Sequence, residues 1–222
     1  MNTTANPEAA PPDFSRLALT YRWMELASFG PWLHRCRCTF LDQLADRRRA
    51  LILGDGDGRF TASLLHANPR IQIEAVDASS AMLNELSRRA GHGVIRVHTC
   101  IADARHWRPE GPPYDLAVSH FFLDCLRTAE IESLAATISK SVTPSAKWLI
   151  SEFAIPPGLY GQLFARPLIR GLYSTFGFLT GLTIRNLPDH RAALRRSGFE
   201  LIAERNWLGG LLVSELWSFN AH

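Results

Sequence analysis

From residue 50 onward, short apolar runs alternate with stretches of helical spacing. ALIL (50–53), IQIEAV (71–76), GVIRVHTCI (93–101), YDLAVSHFF (114–122) and KWLISEFAI (147–155) read as strands buried on both faces. GRFTASLLHA, SSAMLNELSRRAG and AEIESLAATISKSV lie between them and read as helices, with Ser79 or Ser80 placed to cap the second. Such alternation predicts a parallel sheet covered by helices on both faces. The last third departs from it. An aromatic-rich helical insert occupies 156–185, and HRAALRRSG reads as a helix closed by Gly198. FELIAERNW and GGLLVSELWSF then predict two strands joined by a turn, an antiparallel pair at the sheet edge. Ahead of the sheet, Leu17, Tyr21, Met24 and Leu26 lie near helical spacing, and Gly30-Pro31 breaks the run. Residues 14–49 are therefore expected to form a helical cap. Residues 1–13, rich in Pro, Asn, Thr and Ala, read as a loose tail, and 14–222 as one domain.

Composition narrows the function classes. A chain of 222 residues with 46% hydrophobic and 20% charged residues is that of a globular protein. The net charge of +3 gives no reason to expect nucleic acid. The triplet Arg47, Arg48 and Arg49 reads as a solvated helix end, where cations suit the dipole. Cys36, Cys38, Cys100 and Cys125 form no CxxC pair, so no metal site is expected. The opening MNTTANPEAAPPDF has neither a basic nor an apolar leader region, so reduced thiols and a cytoplasmic location are expected. Arg166, Pro167 and Arg170 interrupt the longest apolar stretch, which does not read as a spanning helix.

The candidate chemistry begins where the first strand ends, at Gly54, Asp55, Gly56, Asp57 and Gly58. Glycines between a strand and a helix permit positive φ and let a ligand approach the backbone, beside the free N–H groups of the helix start. The spacing is GxGxG. Arg59 stands where a dinucleotide fingerprint has its third glycine, which disfavours a nicotinamide or flavin. Asp77 ends the second strand, 19 residues after Gly58, where a carboxylate is placed to accept both hydroxyls of a ribose. Asp103 follows the third strand in CIADARHW, where its carboxylate is placed to accept an adenine amino group. Met82 lies on the helix after Asp77, either against an adenine face or in the core. At the end of the fourth strand, His120 is placed to orient substrate or accept a proton, and a packed histidine fits equally well. Asp124 reads as a base, a polar anchor or a helix cap, and Phe121 lies where the crevice opens.

GDGDG, VDASSAML, IADA, DLAVSHFFLDCL and ISEF, in this order over 50–155, resemble the motifs of class I S-adenosylmethionine (SAM)-dependent methyltransferases. The C-terminal LPDHRAALRRSGFELIAERNWLGGLLVSELW and the aromatic insert resemble the ubiquinone/menaquinone C-methyltransferase branch. The resemblance implies an α/β, Rossmann-like three-layer sandwich: seven strands, mostly parallel, with the antiparallel C-terminal edge pair and the N-terminal cap. It implies SAM as cofactor. Gly54, Gly56 and Gly58 would flank its methionine part, Asp77 would hold the ribose and Asp103 would contact the adenine, with Asp55, Ala78, Met82, Ala102 and Ala104 also counted among the cofactor-binding residues. Ser119 would line the crevice, and Tyr21 would help close over the cofactor. The sequence departs from that pattern at Ile52, where the family carries an acidic residue. Leu123-Asp124 replaces an Arg-Asn pair, and TPSA replaces the Lys-Pro-Gly-Gly turn before the fifth strand.

Methyl transfer asks a protein mainly for position and dryness, so the lack of a triad does not exclude an enzyme. A small, apolar or aromatic acceptor is expected against the insert, at Tyr160, Phe164, Tyr173, Phe176 and Phe178. Arg166 and Arg170, one helical turn apart, are read as facing solvent, with an acidic acceptor or membrane headgroups as alternatives. The rival readings are a non-catalytic SAM-binding protein of the same fold and a dinucleotide-dependent oxidoreductase. The sequence fixes neither the acceptor nor the oligomeric state.

Overall fold

The computed structural model describes residues 29, 31–171 and 188–220. The expected tail, Tyr21, Tyr173, Phe176 and Phe178 lie outside these residues. Seven strands form one sheet: β1 (Arg49–Leu53), β2 (Gln72–Asp77), β3 (Val97–Ile101), β4 (Tyr114–His120), β5 (Val142–Phe153), β6 (Phe199–Trp207) and β7 (Leu212–Phe219). Their order is β3-β2-β1-β4-β5-β7-β6. All neighbours run parallel except β5–β7 and β6–β7, which are antiparallel, as the sequence predicts for the C-terminal pair.

The helices are α1 (Pro31–Arg37), α2 (Arg59–Ala67), α3 (Ser80–Ala90), α4 (Thr128–Ser139), α5 (residues 159–171) and α6 (His190–Arg196). Side chains alternate across a strand, so β1 feeds two cores at once. Ala50 and Ile52 pack with Phe60 and Leu64 of α2 and Leu83 and Leu86 of α3. Leu51 and Leu53 pack with Ile131, Leu134 and Ile138 of α4 and with Leu194 of α6. A third cluster, with Leu33 and Cys36 of α1, Phe121, and Ala165 and Ile169 of α5, covers the carboxyl ends of the central strands.

The cap is fastened by polar bonds. The carbonyl of Cys36, in the last turn of α1, accepts hydrogen bonds from Ser151 Oγ at 3.4 Å and Ser214 Oγ at 2.9 Å. That bonding sets Arg37 over the sheet. The arginine triplet divides: Arg48 is exposed to solvent as expected, whereas Arg49 belongs to the sheet rather than to a helix end. Arg49 begins β1, its guanidinium bonds Glu74 at 3.1 Å and stands 4.9 Å over the Tyr114 ring, and Tyr114 donates to the same carboxylate at 2.7 Å.

Two elements differ from expectation. Residues 91–96 form a 3₁₀ turn rather than the start of β3. Arg96 turns back there to donate to the carbonyls of Leu65 and Asn68, satisfying the C-terminal end of α2. TPSA is not a turn before β5 but a bulge within it: Tyr114 pairs with Val142 and Leu116 with Lys147, and Ser145 has φ 61°.

Candidate functional site

The strand order reverses between β1 and β4, and open α/β sheets bind ligands in the crevice at the carboxyl ends of such strands. The glycine turn sits there. Gly54, Gly56 and Gly58 have φ of 64°, 63° and 77°, a region that side chains with a Cβ rarely enter. Their surroundings differ. A Cβ on Gly58 would stand 2.6 Å from the Leu86 backbone, so this glycine lets α2 and α3 approach. A Cβ on Gly56 would meet nothing within 4 Å. The middle of the turn therefore faces open space on the crevice side, room that a cofactor needs.

The aspartates of the turn divide the work. Asp57 pairs with Arg59 at 2.9 Å and Arg89 at 3.1 Å and holds the outer side. Asp55 turns inward. Its Oδ2 accepts from the backbone N–H of Thr61 at 2.8 Å and its hydroxyl at 2.6 Å, fixing the first turn of α2. Its Oδ1 is buried without a hydrogen-bond partner among the described residues. Burial raises the Asp55 carboxyl to about 6, against the pull of Thr61 and of the nearby Arg37 charge. Asp77, at the end of β2, is raised by burial to about 6 as well, and its Oδ1 accepts from Ser79 N–H at 2.8 Å. Ser79, not Ser80, caps α3, bonding Met82 N–H.

His120 closes the other side. It shares a face of β4 with Leu116 and Val118, and the Phe60 ring meets it edge-on at 4.5 Å. Both ring nitrogens are buried without a hydrogen-bond partner among the described residues. Burial pushes its pKa well below the usual histidine range, and the positive charge of Arg37 adds to that, so the imidazole is neutral. The next residue, Phe121, has φ 52°. It is held there from below: buried Glu152 accepts from the N–H of Phe122 at 3.2 Å and of Leu123 at 2.9 Å. Burial, with the negative charge of Asp124 beside it, raises the Glu152 carboxyl well above its usual range. Arg37 stands 5.3 Å over the Phe121 ring.

The remaining expected site residues fall in three groups. Ala78 is exposed on the rim after Asp77, Met82 is buried at the start of α3, and Ala102 and Ala104 flank Asp103 in the loop after β3. Asp103 accepts from Arg105 at both oxygens, which holds its carboxyl below the ordinary value. Ser119 and Asp124 face support structure: Ser119 Oγ accepts from the Trp148 indole at 3.1 Å, and Asp124 Oδ1 from Cys125 Sγ at 3.4 Å. Tyr160 and Phe164 stack at 6.2 Å on the outside of α5, 46% and 66% exposed. The face of α5 turned inward is Gly161, Ala165 and Ile169. Sequence reasoning missed Arg37 and Glu152. A charged residue in the apolar strand WLISEF was the available signal for Glu152; nothing local marked Arg37. The four cysteines are free, and no group of side chains suited to a metal occurs among the described residues.

Residues 50–145 match a family model for a methyltransferase domain. A comparison with curated protein sequences finds no match. Among solved structures, an O-methyltransferase family protein from Burkholderia thailandensis superposes with a TM-score of 0.70 at 16% identity, over 94% of this chain and 61% of that one. A putative O-methyltransferase from Nostoc punctiforme gives 0.68 at 18% identity, over 98% and 64%. The N-methyltransferase NodS from Bradyrhizobium japonicum, in complex with S-adenosyl-L-homocysteine (SAH), gives 0.64 at 13% identity, over 92% and 99%. The chain thus spans about three fifths of the length of the first of these. Residues 50–145 thus match a methyltransferase-domain model, and the chain as a whole shares the fold of these methyltransferase structures.

Proposed function

We propose that this chain transfers a methyl group from SAM to a small acceptor with an apolar or aromatic body. One observation supports this above the others. Asp55 Oδ1 and both His120 nitrogens are buried without a hydrogen-bond partner among the described residues, at the strand ends where the turn around Gly56 leaves open space. Leaving a buried polar atom unsatisfied costs about 1–3 kcal/mol, so three together suit a polar ligand. In this reading the turn at Gly54–Gly58 flanks the methionine part of SAM, and Arg37 supplies positive charge for its carboxylate. Asp77 accepts the ribose hydroxyls. Asp103, steadied by Arg105, faces the adenine amino group.

Bound SAM supplies an activated methyl on a sulfonium, open to in-line displacement. The residues of the chain position and dry that site. Phe60, Phe121 and Phe122 make its walls apolar, which excludes water and favours an apolar acceptor. Neutral His120 offers one donor and one acceptor nitrogen to orient the acceptor, and takes a proton only from an acceptor that must lose one. Asp124, turned toward Cys125 and Glu152, steadies the loop instead. Tyr160 and Phe164 belong to the acceptor wall only at its outer rim. No helix among the described residues is long and apolar enough to cross a membrane.

The test is a pair of measurements on the full chain. Calorimetric titration with SAH, and thermal shift with SAM, SAH and NADH, read the cofactor. Release of SAH with a panel of phenols, amines and quinols reads turnover. Stabilisation by NADH but not by SAH would overturn the reading, and tight SAH binding with no turnover on any acceptor would leave a binding protein.

A further inference from the structure

An ordinary surface helix turns its charged residues to water and its apolar stripe to the core. Helix α5 does not. Only Gly161, Ala165 and Ile169, one residue per turn, face the protein. Gly161 packs against the Pro156 carbonyl, where a Cβ has no room, and residues Gly161–Ala165 are wound as a π-helix. The outward side carries Leu159, Leu163, Phe164 and Leu168, exposed by 75%, 62%, 66% and 46%. The polar residues among them are Gln162, Arg166 and Arg170, all exposed.

The apolar surface continues past the helix. Tyr160 donates to the carbonyl of Leu208 at 3.2 Å. Leu208, Trp207 and Trp32 pack on the same cluster as Ala165 and Ile169. Trp32 and Trp207, half-buried, lie 5.8 Å apart, and each carries an arginine on its ring: Arg35 at 5.0 Å and Arg205 at 4.5 Å. The charge is one-sided. No Asp or Glu occurs from Phe153 to Pro188, nor in α1. Glu204, next to Arg205 on β6, points to the opposite face and is held by Arg191 at 3.0 Å.

Exposed leucines and phenylalanine, tryptophans at the margin and a ring of arginines with no carboxylate partner among the described residues form the pattern of a surface that lies in a bilayer interface. We propose that this face, α5 with Trp32 and Trp207, docks on a lipid bilayer bearing anionic headgroups. The apolar side chains enter the acyl boundary, and Arg35, Arg166, Arg170 and Arg205 meet the phosphates. The binding needs neither SAM nor turnover, so it stands apart from the catalytic reading.

The experiment is flotation of the full chain with phosphatidylcholine vesicles, with and without phosphatidylglycerol. Binding is expected only to the anionic vesicles, and is expected to weaken as salt rises. Arg166→Gln with Arg170→Gln should lower it roughly thirtyfold, at about fivefold per arginine. Leu159→Asp with Leu163→Asp should abolish it. Far-UV circular dichroism and SAH binding check that both variants are folded, and the arginine pair, fully on the surface, keeps the test valid if the aspartates disturb folding. Failure to bind anionic vesicles overturns the proposal, as does binding that both variants retain. A concentration-dependent dimer in sedimentation equilibrium that Leu163→Asp dissolves would assign the face to a second copy instead.

Discussion

The ring of Phe122 fills the space where a Cβ of Gly54 would stand, 2.5 Å from its Cδ2. The turn after β1 and the turn after β4 are thus fitted to one another, and the crevice between them has one width. Gly54→Ala adds a clash to an unfavourable φ and is expected to cost about 2–4 kcal/mol in urea unfolding. Gly56→Ala meets only the backbone penalty, about 1–2 kcal/mol, yet intrudes on the cofactor space. Its loss of SAH affinity should exceed its loss of stability. Equal stability costs for the two would contradict the assigned geometry.

Asp77→Ala is expected to weaken SAH binding at least tenfold, about 1.4 kcal/mol. Calorimetry measures it directly. Unchanged affinity would remove Asp77 from the ribose site.

The pH dependence of stability follows from the raised carboxyls. Asp55 and Asp77 have folded pKa values near about 6, above the ordinary value of 3.8, because burial disfavours their charge. The folded state therefore binds their protons more tightly than the unfolded state. Their contribution is full below the unfolded value and is lost as pH rises through about 6. The loss is up to about 3 kcal/mol for Asp55, and less for half-buried Asp77, where water screens the charge. Asp55→Asn should raise the Tm of the ligand-free protein at neutral pH and leave it nearly unchanged below about pH 4. A Tm lowered equally at both pH values would mean that the Thr61 hydrogen bonds outweigh the buried charge.

Glu215 carries the opposite sign. Its fully buried carboxylate accepts from His190 Nε2 at 3.0 Å, Arg191 at 2.6 Å and the Trp217 indole at 2.8 Å. Despite the cost of burial, these partners hold its pKa below 4.5. Its contribution is present above the unfolded value and lost as pH falls through the lower folded value. Glu215→Gln should cost about 1.5–3 kcal/mol near neutral pH, since it weakens charged hydrogen bonds at a buried site while Arg191 keeps Glu204. The difference from the parent chain should shrink in acid, and urea unfolding across pH reads this.

Glu152 separates two kinds of support. A neutral carboxyl is close in shape and hydrogen bonding to an amide. Glu152→Gln should therefore change stability by less than about 1 kcal/mol, whereas Glu152→Ala orphans one buried and one half-buried N–H group and should cost about 2–4 kcal/mol. A large loss in the Gln variant would show that the carboxyl is charged.

The elements that sequence spacing located are those whose causes are local. Apolar runs bounded by glycine mark β1 and β2, and GDGDG with Asp77 marks the turn and its rim, because each feature acts within a few residues of itself. The rest depends on distant partners. Residues 93–96 read as strand, but Arg96 serves carbonyls of α2 and bends the chain. Arg37 looks like one more surface cation until Ser151 and Ser214 fix α1 over the crevice. In α5, helical spacing was evident but its orientation was not. The small residues Gly161 and Ala165, four apart, set the inward face and left Tyr160 and Phe164 on the outer side.

The two serine bonds to the Cys36 carbonyl close loops of 115 and 178 residues. During synthesis, β1 to β4 and the glycine turn emerge long before Ser214 does. The carbonyl of Cys36 gains its second serine bond only when the final strand has paired with β5. A chain stalled or clipped before residue 214 therefore carries the glycine turn under a helix α1 that lacks one of its two serine bonds. Pairing of the last strand, rather than any single motif, sets the moment at which α1 is held by both serines.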